Sequence, residues 1–86
     1  MLIEFPSQEM EDRVRNVVFP AIVDGREIKC AISSAVLRDR FGMSDLYDPI
    51  PCFNANRQQI EQIAENLIEQ GRFERDGTIM IKTTDI

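Results

Sequence analysis

The sequence predicts an α+β fold of two layers, a mostly antiparallel sheet of three to five strands with two helices packed on one face. Three observations predict it. Alternating apolar residues flank an Asp24-Gly25 pair, the stretch FNANRQQIEQIAENLIEQG repeats its apolar residues at helical spacing, and Asp76-Gly77 leads into Ile79 and Ile81. At 86 residues the chain is expected to form a single domain spanning 1–86, because a second core could not be built from so few residues.

A two-residue Asp-Gly loop suits the positive φ angles of a type I′ hairpin turn. Pairing Val23 with Arg26 sets Ala21 opposite Ile28, Phe19 opposite Cys30 and Val17 opposite Ile32, so one face becomes continuously apolar. The other face carries Val18, Pro20 and Ile22 against Ala31, Lys29 and Glu27. Pro20 lacks an N–H, which favours an edge strand or a bulge. Ser33 or Ser34 can then cap a short helix with Leu37 and Phe41 on its buried side and Gly42 as its stop. The segment from Gly42 to Cys52 reads as an irregular connection held open by Pro49 and Pro51. The second helix begins near Asn54 or Asn56, buries Ile60, Ile63, Ala64, Leu67 and Ile68, and ends at Gly71. Arg72 to Arg75 either pairs with the last strand or is an irregular exit from the helix. A short first strand, Leu2 to Phe5, completes the plan.

Several function classes are disfavoured by composition. The chain contains no histidine, which removes the commonest general base and the commonest zinc ligand. Ten basic against fifteen acidic residues give a formal charge of −5, opposing nonspecific attraction to nucleic acid or anionic membrane. Cys30 and Cys52 lie far apart and form neither a disulfide framework nor a metal motif. The opening MLIEFPSQEMEDR has no basic segment followed by a long apolar run, and no later stretch is long enough to span a bilayer. The expectation is a cytoplasmic protein without a cofactor, a metal or a membrane contact.

Phe5-Pro6, Val18-Phe19, Gly25, Ile28, Cys30, Leu37, Phe41-Gly42, Phe53, Asn56-Arg57, Ile60-Glu61, Ala64 and Asp76-Gly77 together give an order and spacing that resemble one family. It comprises the small bacterial proteins of domain-of-unknown-function family 1488. The resemblance covers nearly the whole chain and implies a small bacterial α+β protein, with no established activity or catalytic residues attached.

Arg57 is the first candidate binding residue, because a cation in the first turn of a helix opposes the macrodipole and needs compensation. An ion pair with Glu61, Asp45 or Asp48 would supply it; alternatively the planar fork, beside Asn56, addresses a carboxylate or phosphate on a partner. Glu61, Glu65 and Glu69 form an acidic stripe that reads as a solvated face or a dock for a basic partner. Cys52 precedes the second helix, where backbone N–H groups could lower its thiol pKa and create a redox-sensitive site. Asp45 and Asp48 are a weak metal pair. Arg38 and Arg40 point to different sides of a helix, whereas Arg13 and Arg15 share a face if the second strand extends that far. Val18, Ile22 and Met80 mark an apolar sheet surface able to seed a homodimer by sheet stacking or edge pairing. The leading expectation is a non-enzymatic protein-interaction or regulatory module. The alternatives are a nucleic-acid-associated regulator with a local arginine patch and a thiol sensor at Cys52.

Overall fold

In a computed structural model, residues 1–44 and 48–86 are described, and their strands and helices run β1 (Ile3–Glu4), β2 (Met10–Glu11), β3 (Asn16–Val23), β4 (Arg26–Ser33), α1 (Ser34–Phe41), α2 (Ile50–Ala55), α3 (Arg57–Glu69) and β5 (Ile79–Ile81), followed by a 3-10 turn at Thr83–Asp85. The α+β class and the mostly antiparallel five-stranded sheet follow the sequence expectation. The β3–β4 register is the one expected, with Val23 opposite Arg26, Phe19 opposite Cys30 and Val17 opposite Ile32. Asp24 and Gly25 both carry positive φ, at 50° and 84°, as a type I′ turn requires.

The strand order is β1-β3-β4-β5, and β2 pairs with β3 on the same edge as β1. Pro20 falls between the stretches of β3 paired by β1 and by β2. In an antiparallel ladder N–H groups alternate sides, so with Val23 and Arg26 as the pair that closes the turn, the N–H missing at Pro20 is one that would point away from β4. The edge gap therefore accommodates the proline without losing a bond to β4. β5 pairs with β4 in parallel, Cys30 opposite Ile79 and Ile32 opposite Ile81, which the intervening helices make possible.

Val17, Phe19, Ala21, Cys30 and Ile32 turn their side chains into one hydrophobic cluster with Leu37, Phe53, Ile60, Ala64, Leu67, Ile68, Ile79 and Ile81. Ser33 Oγ accepts from Val36 N–H at 3.2 Å to cap α1, and Gly42 ends that helix in the left-handed region. α3 ends in a Schellman arrangement: Arg72 N–H donates to Leu67 O at 2.9 Å and Gly71 N–H to Ile68 O at 3.0 Å.

Three details depart from the expectation. Residues 50–55 form a helix of their own, because Pro51 sits in its first turn, where an absent N–H costs nothing. The following helix starts as expected at Asn56, which (φ −120°, ψ 16°) ends α2 and caps α3. Arg13 and Arg15 lie outside β3, in a turn where Arg15 has φ 66°, so they share no strand face. Asp12 fixes that turn by accepting from the Val14 and Asn16 N–H groups at 3.0 and 2.8 Å. Finally, β2 is an additional strand, too short for any alternation to mark it, and β1 is shorter than the expected Leu2 to Phe5. Arg72 to Arg75 is an irregular exit, touching the end of the turn through Glu74 N–H to Thr78 O at 2.8 Å.

Candidate functional site

Arg57 stands at the first position of α3, where the break at Asn56 aims its side chain back across α2 and toward the loop before β2. Its Nη2 lies 2.6 Å from Glu9 Oε2 and 2.9 Å from Asn54 Oδ1, and its Nη1 lies 3.4 Å from Glu61 Oε2. The guanidinium carbon sits 4.8 Å from the centroid of the Phe53 ring, a cation–π contact. Phe53 in turn packs on Phe19, with ring centroids 5.0 Å apart, and Phe19 on Phe5 at 6.3 Å. The Arg57 fork, then the Asn54 amide, hold the Glu9 carboxyl below its ordinary value, with partial burial opposing them.

This arrangement answers the charge at the start of α3. The helix dipole repels Arg57, and two carboxylates, an amide oxygen and an aromatic face compensate from within the chain. Glu61 was expected from the i, i+4 spacing. Glu9 and Asn54 were not, because neither has a periodic relation to Arg57 across the intervening loop. Asn56 is likewise turned inward, donating to Cys52 O at 2.9 Å. Asp45 lies outside the described residues; Asp48 Oδ1 accepts from Ile50 N–H at 3.0 Å, ahead of α2.

The chain matches the model of a protein family of unknown function, DUF1488, over residues 3–81. It belongs to the DUF1488 family. Within that setting it is 32% identical to the uncharacterized protein YrdB of Escherichia coli K12 over 80 residues, covering 92% of this chain and 94% of the relative. The Shigella flexneri YrdB protein is 31% identical over the same shares. A crystal structure of a DUF1488 protein of unknown function from Shewanella loihica superposes with a TM-score of 0.83 at 30% identity, covering 92% of this chain and 90% of that one.

In this DUF1488 protein Cys52 lies in the first turn of α2, yet burial raises its thiol pKa, and the opposing Asn56 amide bond is the smaller influence. The shift is opposite in direction to the lowering expected at a helix N-terminus. Its Sγ is 3.6 Å from Phe41 O. Cys30 is fully buried and pushed up to about 12. Among the described residues no group of three or more His, Cys, Asp or Glu is placed to hold a metal ion. No helix among them is long and apolar enough to cross a membrane.

Val18, Ile22 and Met80 all lie on the sheet face turned away from the helices, each half-buried. The strand registers align Met10, Val18, Ala31 and Met80 into one apolar row across four strands. Beside this row, a hollow of about 410 Å³ opens near the gap between β1 and β2, with apolar Met10, Val18 and Pro20 and charged Glu9, Asp12 and Lys29 among the residues that line it. Alternation along the sequence marks Val18, Ile22 and Met80, whereas Met10 sits on a two-residue strand that carries no periodic signal.

Proposed function

We propose that this protein is a non-catalytic cytoplasmic module that works by binding protein through the uncovered face of its sheet. The observation that carries this reading is the apolar row Met10–Val18–Ala31–Met80, with Ala31 itself buried and Pro20 and Ile22 beyond Val18 on the same strand, on a face that none of the described helices covers. A sheet face that meets water is expected to be polar, and contiguous apolar surface with a polar rim is the usual character of an interaction site. Met10 is 64% exposed, so the row is open to a partner at its β2 end. The inward engagement of Arg57 supports the same assignment, since its fork is occupied by Glu9, Glu61 and Asn54. The raised Cys52 thiol argues against a redox centre there.

Native mass spectrometry of the protein isolated gently from a bacterial lysate, beside an Ile22→Asp variant, tests this. The expected result is a protein-bearing complex for the parent and a bare chain for the variant. A bare chain in both, or the same complex in both, overturns the reading.

A further inference from the structure

The open face is organised in rows whose order is self-complementary. Leu2 lies beside Asp24, to which it is hydrogen-bonded through both its N–H and its carbonyl. The next row is Glu4–Ile22–Glu27, the next Pro20–Lys29, and the last the apolar row beginning at Met10. β1 and β2 occupy the same lane on the edge of β3, so Leu2 and Met10 stand at opposite ends of that lane. Consider a two-fold axis lying in the plane of the face and crossing the strands between the Ile22 row and the Pro20 row. It exchanges those two rows and exchanges the Leu2 row with the Met10 row. Ile22 then meets Pro20, Leu2 meets Met10, Asp24 meets Val18 and Glu27 meets Lys29, each twice, as an isologous interface demands.

We propose that the occupant of this face is a second copy of the chain, stacked sheet on sheet in that register, with reciprocal Glu27–Lys29 ion pairs. The proposal rests on the reading of the open face as a protein-binding surface. Leu2 and Met10 are 63% and 64% exposed, and the axis brings these two large apolar side chains of the same lane onto each other. Among the described residues neither Glu27 nor Lys29 forms a salt bridge or side-chain hydrogen bond within the chain, and Lys29 acts on the Asp12 and Asp76 carboxylates only at longer range. Their charges are opposite, on one strand and one face, and equidistant from the axis. The hollow, lined by Met10, Val18, Pro20 and Lys29 with the Glu9 and Asp12 carboxylates also in its wall, faces the partner's Ile22 row. The formal charge of −5 on each copy repels at long range, so the local pairs of opposite sign fix both register and attraction.

Charge reversal tests the register. Glu27→Lys alone and Lys29→Glu alone each set like charges across the axis and are expected to weaken self-association at least about tenfold, read by sedimentation equilibrium. An equimolar mixture of the two variants restores every pair, because one copy then carries two cations and the other two anions. The expected result is a heterodimer in excess of the statistical proportion in native mass spectra. A mixture that stays monomeric, or that shows only statistical exchange, overturns the proposal. If the parent meanwhile holds a different protein that Ile22→Asp releases, the second-copy assignment falls and the interaction reading stands. If it holds neither, both fall.

Discussion

Glu9 Oε2 lies 2.6 Å from Arg57 Nη2, and this pair ties the loop ahead of β2 to the first residue of α3. Both side chains are about one-fifth exposed, so solvent screens the pair only in part. The same guanidinium covers the Phe53 ring. Arg57→Ala removes the ion pairs and the cation–π contact together and is expected to cost about 1–2 kcal/mol. Glu9→Gln is expected to cost about 0.5–1 kcal/mol, more than Glu61→Gln, whose oxygen sits at the longer 3.4 Å. Urea denaturation of the three variants checks the order; equal effects from Glu9→Gln and Glu61→Gln would show that the shorter pair is no stronger than the longer one.

The same pair predicts acid sensitivity. The carboxyls of Glu9, Asp12 and Asp76 are held below their ordinary values by, first in each case, the Arg57 fork, the Asn16 N–H and the Thr78 hydroxyl. In the window between the ordinary carboxylate value and the lower folded value, the unfolded chain binds more protons, so stability rises with pH there. The contribution is fully present above the ordinary value, 4.5 for Glu9, and is lost as pH falls through the depressed one. With no histidine in the chain, the melting temperature should change little from about pH 5.5 to 7.5 and fall below about pH 4.5. Glu9→Gln should flatten part of the acid slope. A melting temperature that Glu9→Gln lowers equally at every pH would detach the pair from that slope.

What could be read from the sequence follows from where each signal originates. The β3–β4 register was legible because two local facts, the Asp24-Gly25 turn and the alternation of Val17, Phe19 and Ala21, required the same pairing. α3 was legible through Ile60, Ala64 and Leu67 on one stripe. α2 was hidden because Pro49 and Pro51 read as breakers, although a proline in the first turn is compatible with a helix. β2 has only Met10 and Glu11 and exists through its pairing with Val18 and Val17. The Arg57 cluster was half legible: Glu61 is one turn away in sequence, while Glu9 is brought close by the tertiary fold alone.

Gly71 isolates a backbone effect at the end of α3. Its φ is +69°, and a Cβ built there meets no atom within 4 Å. Gly71→Ala therefore has room and still pays the left-handed penalty, expected at about 1 kcal/mol. The helix content by circular dichroism should be unchanged while the melting temperature falls. A variant as stable as the parent would mean that the Schellman bonds from Gly71 and Arg72 do not depend on glycine.

The two thiols should be slow for the same reason and separable by degree. Burial raises both, more strongly at Cys30, which has no exposed surface, than at Cys52, which is half-buried. At neutral pH the thiolate is the reacting form, so Cys52 should label with iodoacetamide more slowly than an unfolded cysteine peptide. Cys30 should label at the rate of global unfolding, because β3 and β5 flank its strand and the helices cover its side chain. Cys52→Ser should thus leave a protein that takes up one label, and only as urea approaches the unfolding midpoint. Rapid labelling of the parent at neutral pH, abolished by Cys52→Ser, would instead make Cys52 a reactive thiol and reopen the redox reading.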